Sequence, residues 1–221
     1  ELVSREISLL EDFEPGEISV GKIFTRYPSG MGSWGIYISD NLDNGAGYSF
    51  KYSKPENFEL ILSSIKENTL MELIDDDHAL SCSTSCYHCI RNYYNRMEHA
   101  SLDWRLGLDL LYCFIDEKYV PTLGAPWWDT YVKKVLPRKI KGISNLDFKI
   151  AMDAKFGPYL KTDNNYSILP IHPLFHMGHT NAFDLERSFL ENTKANIGGV
   201  LDVFEFERRP MSAIQKLRGD N

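Results

Sequence analysis

The sequence predicts an α+β fold with a strand-rich N-terminal part, a cysteine-rich turn leading into a long amphipathic helix, and a smaller mixed α/β C-terminal part. Three observations predict this class. Two β-prone segments lie near the start of the chain, and two segments with helical periodicity follow them. Strand-like and helix-like segments then alternate beyond Pro121.

The two β-prone segments are residues 19–26 (SVGKIFTR) and 34–40 (WGIYISD), which are rich in branched and aromatic residues. The turn-forming sequence YPSGMGS separates them, so we expect paired strands. The next segment, NLDNGAGYSF, carries glycines that allow a sharp turn or the close approach of another group.

Apolar residues recur with helical spacing in residues 55–74 and again in residues 101–117. The first segment opens with Pro55, which suits the first turn of a helix. In the second segment the spacing of three or four predicts one buried helix face, made of Leu102, Leu106, Leu110, Cys113 and Phe114.

The C-terminal part is predicted to mix both kinds of structure, with a domain boundary near residue 120. We therefore expect a domain at 1–120 and a mixed α/β region at 121–221. The predicted elements of that region are a short helix and a basic turn in 124–142, strands in 146–156 and 166–175, a helix in 183–194 and a last strand in 201–208.

The composition is that of a globular protein, with 43% hydrophobic residues and a formal net charge of −7. This charge argues against a free-standing, sequence-independent nucleic-acid binder, although a local basic patch is compatible with it. The sequence has no long apolar run or signal-peptide pattern, so we expect a cytoplasmic protein. It starts at Glu1 without methionine, and we expect it to be a piece of a longer polypeptide.

Three of the four cysteines form the pattern Cys82-x3-Cys86-x2-Cys89. A tight turn of this kind can point several sulfurs at one tetrahedral ion, which is the geometry that zinc accepts. The sequence thus predicts a zinc knuckle with one structural Zn²⁺. The candidates for its fourth ligand are His99, Cys113, His88 and His78, of which we prefer His99 because it can return to the site just before the helix begins.

Other interpretations of the cysteines are ordinary reduced thiols or an iron–sulfur cluster completed by Cys113. A catalytic zinc needs an open coordination position and a nearby general base, as in the zinc deaminases. The segment does not supply that arrangement. We therefore expect the metal to stabilise the fold.

The segment resembles the MrfA-like zinc-binding domain of DEAD/DEAH-box helicases and of anti-phage defence proteins of the DISARM and Druantia type. The resemblance rests on NGAGY at 44–48, the three cysteines, RNYYN at 91–95, His99 and LDWRLGLDLL at 102–111, in the family's order, and covers roughly residues 35 to 115. The helicase branch usually has a further cysteine where this sequence has Asn95, which makes His99 the natural substitute.

The resemblance implies a zinc-binding accessory domain, at 1–120, that positions DNA or partner subunits beside a helicase motor. The chain has no Walker-type G-x-x-x-x-G-K-[ST] sequence and no DEAD or DEAH box, so we expect no catalysis from it. The motor would lie elsewhere, on the same polypeptide or on another. The implied partners are DNA and that motor, in an antiviral defence system.

A local basic segment follows two tryptophans, Trp127 and Trp128. Its charges could neutralise phosphates, and the aromatic side chains could stack on bases, unless the segment is only a solvated helix face over core tryptophans. The residues predicted to contact DNA are Arg91, Lys133, Lys134, Arg138, Lys139 and Lys141.

Two other functions compete with this hypothesis. Asp147, Asp153 and Lys155 have the D…D-x-K layout of a metal-dependent nuclease, a short pattern that often arises by chance. A protein-interaction scaffold would use the acidic surface to dock a basic partner. The histidines of IHPLFHMGH at 171–179 are expected to be structural or exposed, because no acidic general base lies close to them.

Overall fold

The computed structural model describes residues 1–41, 47–174 and 182–218. It has helices and two sheets, which confirms the α+β class. Along the chain the elements are α1 (Leu2–Glu11), β1 (Ile18–Arg26), β2 (Gly32–Asp40), α2 (Tyr48–Tyr52), α3 (Pro55–Ser64), α4 (Leu70–Ile74), α5 (Asp76–Ser81), α6 (Trp104–Ile115), α7 (Pro126–Thr130), α8 (Leu136–Ser144), β3 (Lys149–Asp153), β4 (Gly157–Lys161), β5 (Tyr166–Ile171), α9 (Ala182–Thr193), β6 (Ile197–Asp202), α10 (Val203–Arg208) and α11 (Pro210–Arg218).

The chain divides into two compact units. Unit 1 comprises Glu1–Leu73 and Ser85–Leu108, and unit 2 comprises Ile74–Thr84 and Asp109–Asn221. In the described ranges, no helix is both long and apolar enough to cross a membrane. The cytoplasmic location stays a prediction.

Unit 1 contains a long antiparallel hairpin and a small helical core. The hairpin pairs β1 with β2 from Ile18 opposite Asp40 to Arg26 opposite Gly32, which confirms the two predicted strands. The helix predicted at 55–74 is also present, as α3, a π-helical turn (Ile65–Thr69) and α4 in direct succession. α1 packs against α3 and this turn, and its buried Glu6 accepts hydrogen bonds from Ser64 and Thr69.

Unit 2 is built on a four-stranded sheet in the order β3-β4-β5-β6. The first three strands are antiparallel, and β6 lies parallel to β5 after the crossover helix α9. Phe189 of α9 packs with Tyr159 and Leu169 of the sheet in an apolar cluster. Gly198 lies where β6 passes β5: its φ is +150°, and a Cβ there would lie 1.7 Å from the carbonyl oxygen of Ser167, so only glycine fits.

Two predicted elements are wrong. The last strand predicted at 201–208 ends at Asp202, because the Asp202 carboxylate accepts hydrogen bonds from the amides of Phe204 and Glu205 and starts helix α10. The basic turn predicted within 124–142 is helical, since α7, a π-helical turn (Tyr131–Val135) and α8 follow one another and bury Val132, Val135, Leu136 and Ile140.

The apolar face predicted for the helix at 101–117 is also wrong. The helix forms as α6, but Leu110 is 52% exposed and Phe114 is 76% exposed. The buried residues are Trp104, Leu108 and Leu111, together with the polar Arg105 and Asp109. The prediction from hydrophobic spacing placed the wrong face of the helix in the core, because it assumed that the charged residues Arg105 and Asp109 would be exposed.

Candidate metal centre

The candidate metal centre begins on the short helix α5. The Asp75 carboxylate caps this helix by accepting a hydrogen bond from the amide of Asp77 at 3.0 Å. The helix ends at Ser81, and Cys82 follows as its C-cap residue, whose amide donates to the carbonyl oxygen of His78 at 2.8 Å. Residues four apart on a helix lie on one face, so His78 and Cys82 point the same way.

A tight turn then brings the other two cysteines to the same place. The amides of Cys89 and Arg91 both donate to the carbonyl oxygen of Cys86, at 3.1 and 3.0 Å. The amide of Cys86 in turn donates to Sγ of Cys89 at 3.0 Å. Amide donors of this kind favour the thiolate form, which is the form that binds metal.

Among the described residues, one group of side chains has the geometry to hold a metal ion. It consists of His78, Cys82, Cys86 and Cys89, whose ligand atoms all lie within 4.8 Å of one another. A tetrahedral ion with metal–sulfur bonds of about 2.3 Å requires ligand separations of about 3.8 Å, so a small contraction completes the site. Cys82 and Cys89 are buried, and His78 and Cys86 are half-buried.

The structure brings the three predicted cysteines together but places His78, not His99, beside them. His99 Nε2 lies 3.0 Å from the carbonyl oxygen of Asn92 and 3.0 Å from Oδ1 of Asn95. Asn95, which stands where the family's further cysteine was expected, is buried and donates to the carbonyl oxygen of Ile90 at 2.8 Å. His99 and Asn95 therefore order the loop that follows the cysteines.

The signal for His78 was present in the sequence as its spacing of four from Cys82. It required recognising that helix α5 begins within the acidic residues 75–77 and continues to the residue before the first cysteine. Of the other candidate ligands, Cys113 is exposed, and partial burial raises the pKa of its thiol, which disfavours the thiolate. His88 is exposed and lies outside the cluster.

The basic segment at 133–141 supports helix α5 within unit 2. Lys134 Nζ lies 2.9 Å from the Asp76 carboxylate and holds the pKa of that exposed carboxyl below its usual range. Arg138 donates to the carbonyl oxygen of Leu80 at 3.4 Å, near the C-terminus of α5. These contacts fix the helix that carries His78.

The remaining lysines of the segment also lie beside carboxylates of this chain. Lys133 pairs with Asp129 at 2.5 Å, Lys141 pairs with Asp147 at 2.5 Å, and Lys139 pairs with Glu207. Their charges are thus partly neutralised before any phosphate approaches. DNA contact through these residues stays a prediction.

The two tryptophans before this segment do not form a stacking platform, because Trp127 is 4% exposed and Trp128 is 2% exposed. Their indole nitrogens donate to the buried carboxylate of Asp109, at 3.1 and 2.8 Å. Tyr119 and His172 Nε2 complete four contacts to that carboxylate, at 2.6 and 2.8 Å. Sequence reasoning missed this network because its members are scattered along the chain.

The nuclease residues are engaged in local structure. Oδ1 of Asp153 accepts from the amides of Lys155 and Phe156 and so forms the turn between β3 and β4, while Oδ2 accepts from Asn192 at 2.6 Å. Asp147 lies in the ion pair with Lys141. A nuclease stays a prediction. His176, His179 and residues 42–46 of the glycine-rich segment lie outside the described residues.

Comparison with known proteins adds no family to this picture. No family model matches the chain, and no curated protein or solved structure matches it significantly.

Proposed function

We propose that this chain is a zinc-stabilised accessory domain of a helicase-type DNA-processing protein that serves in anti-phage defence. The observation that carries the proposal is the clustering of one imidazole and three thiols within 4.8 Å. Three thiolates and a neutral imidazole form a common closed zinc site, and a closed site stabilises a fold rather than activating water.

Support for the helicase part comes from the sequence. The cysteine pattern, RNYYN, His99 and LDWRLGLDLL resemble the MrfA-like zinc-binding domain in their order. In the structure these motifs occupy the metal turn, the loop that His99 orders and the start of helix α6. The proposed partners are therefore DNA and a helicase motor.

Elemental analysis of the purified protein tests the metal site. We expect one zinc per chain in the wild type, loss of zinc with unfolding in Cys86→Ser, and weaker zinc retention in His78→Ala. His99→Ala is the matched control, because it removes an imidazole from the same segment without removing one of the clustered ligands. Equal zinc in His78→Ala and wild type, with loss in His99→Ala, would return the fourth position to His99.

DNA binding tests the second half of the proposal. We expect the purified protein to bind DNA with an affinity that falls as salt increases. The absence of DNA binding at low salt would favour the protein-interaction scaffold. Metal-dependent DNA cleavage lost in Asp153→Ala would favour the nuclease instead.

A further inference from the structure

The β1–β2 hairpin of unit 1 is positively charged, although the chain as a whole is acidic. Residues 18–39 form the longest stretch of the sequence without Asp or Glu, and they contain Lys22 and Arg26. Lys22, Phe24 and Arg26 are two residues apart along β1. Side chains with this spacing on a strand lie on the same face of the hairpin. An anionic partner with flat, apolar groups matches this face.

The hairpin is also unusually exposed. Residues 22–33 are all exposed, including Phe24 at 47% and Tyr27 at 50%. Unit 1 contacts it mainly at its base, through α1 and α2. A two-stranded hairpin is marginally stable in water by itself, so a bound partner would stabilise its outer part.

A second exposed aromatic segment begins inside the metal turn, at Tyr87, and continues beyond it. Tyr87, Tyr93 and Tyr94 are each about two-thirds exposed, and the guanidinium of Arg96 lies 4.8 Å from the centre of the Tyr93 ring. Residues 78–97 also contain no Asp or Glu. The hydrogen bonds of Asn95 and His99 fix the backbone of this loop, so the backbone positions of the tyrosines are set before any ligand binds.

The two segments meet at Gly16, which precedes β1. A Cβ at Gly16 would lie 2.3 Å from Cζ of Tyr94, so the Tyr94 ring lies directly over this glycine. The loop at 87–97 thus packs at the base of the hairpin, and the exposed side chains of these two segments of unit 1 make up an extended candidate surface. We call it the aromatic surface, and its principal rings are those of Phe24, Tyr27, Tyr87, Tyr93 and Tyr94.

We infer that the aromatic surface binds single-stranded DNA. Exposed rings stack on the faces of unpaired bases, which a duplex does not offer, while Lys22, Arg26 and Arg96 contact phosphates. The inference rests on the proposed DNA-processing role and names the surface that contacts the strand. It places this contact on unit 1 rather than on the carboxylate-paired lysines of unit 2.

Fluorescence anisotropy with a labelled oligothymidine of about 20 nucleotides tests this inference, since small single-strand-binding folds cover about 4–16 nucleotides. We expect Tyr87→Ser and Tyr93→Ser each to weaken binding about 5- to 150-fold. The double variant Lys22→Ser, Arg26→Ser should reduce the slope of log affinity against log salt by about 1.4. Circular dichroism and zinc content should match the wild type in all three.

The matched control is the double variant Lys133→Ser, Lys141→Ser, which removes two exposed, carboxylate-paired lysines from unit 2. We expect it to bind oligothymidine like the wild type. Wild-type binding that survives the tyrosine and hairpin changes but falls in the control would overturn the inference and leave the DNA-processing role intact.

Other outcomes also decide between the alternatives. If the wild type binds no single-stranded oligonucleotide, the inference fails, and the DNA part of the proposed function fails with it only if duplex DNA is not bound either. Tighter binding to duplex DNA or to RNA of the same length would reject single-stranded DNA as the ligand. Concentration-dependent dimerisation that the hairpin variant abolishes would assign the surface to a second copy of this chain.

Discussion

At the scale of single residues, the most consequential side chain outside the metal centre is Asp109. Its carboxylate is fully buried and accepts from Tyr119, Trp127, Trp128 and His172. His172 Nδ1 accepts from the amide of Leu174 at 3.0 Å, which leaves the Nε2 proton for Asp109. The single carboxylate of Asp109 therefore accepts hydrogen bonds from four side chains that come from separate parts of the sequence of unit 2.

Replacing Asp109 with Asn tests this arrangement. An amide keeps one acceptor oxygen but points an N–H group at two of the donors, so we expect the free energy of unfolding to fall by about 3 kcal/mol. Urea denaturation measures the change. Tyr119→Phe removes one donor only and should cost about 1 kcal/mol. An Asp109→Asn protein as stable as the wild type would show that water, rather than these side chains, satisfies the carboxylate.

The metal ligands show how far single residues could be predicted. The three cysteines were predictable because they lie within eight positions of the chain. His78 was harder to predict, since choosing it over His99 depends on where helix α5 ends relative to Cys82. His99 has the chemistry of a ligand, but its contacts with Asn92 and Asn95 are set by the folded loop.

At the scale of elements, the sheet of unit 2 depends on one glycine. At Gly198 the backbone is in a region that other residues rarely adopt, and a side chain there would collide with the Ser167 carbonyl. The parallel pairing of β5 with β6 passes through this point, where Ser167 lies opposite Gly198.

We expect Gly198→Ala to lower the free energy of unfolding by about 3–5 kcal/mol, because it adds backbone strain and a steric clash. Gly199→Ala is the matched control. Its new methyl group would meet the ends of the Leu217 and Glu186 side chains, which can move, so a smaller loss is expected. Thermal and urea denaturation of both variants provide the comparison. Equal losses would contradict the special requirement for glycine at position 198.

Element types were predicted where local sequence decides them. The hairpin strands and the helix at 55–74 follow from periodicity and turn residues, and the structure confirms them. At 201–208 the branched and aromatic residues favoured a strand, but the Asp202 cap determines a helix. On α6 the charged residues Arg105 and Asp109 are buried, while Leu110 and Phe114 are exposed. The local sequence pattern does not predict this exchange of faces.

At the scale of the whole molecule, two parts of the chain obtain their stability in different ways. The four-stranded sheet packs on an apolar cluster, whereas the segment 78–99 contains the candidate metal ligands and many exposed side chains. The sequence predicted the strands of the C-terminal part and the cysteine cluster. It did not predict that residues 74–84 form part of unit 2 together with the C-terminal residues. Such an assignment depends on contacts distant in sequence, such as Lys134 with Asp76.

This difference predicts a local response to metal removal. The four clustered side chains lie on a short, loop-rich segment, and the proposed zinc would be their common partner, so we expect a chelator to accelerate amide hydrogen exchange in residues 78–99 at least about 100-fold. Strands β3 to β6 should keep their protection, because their hydrogen bonds and apolar cluster involve no metal ligand. Exchange measured by mass spectrometry on the zinc-loaded and chelated protein gives both values.

Cys113→Ser is the control for this experiment. The residue lies outside the clustered ligands, so its variant should respond to chelation like the wild type. If chelation left residues 78–99 fully protected, the site would hold its shape without a metal, and the stabilising role of zinc would be wrong. If exchange accelerated equally in β3 to β6, the metal would control the cooperative unfolding of the entire chain, because the sheet could then not stay folded once residues 78–99 open.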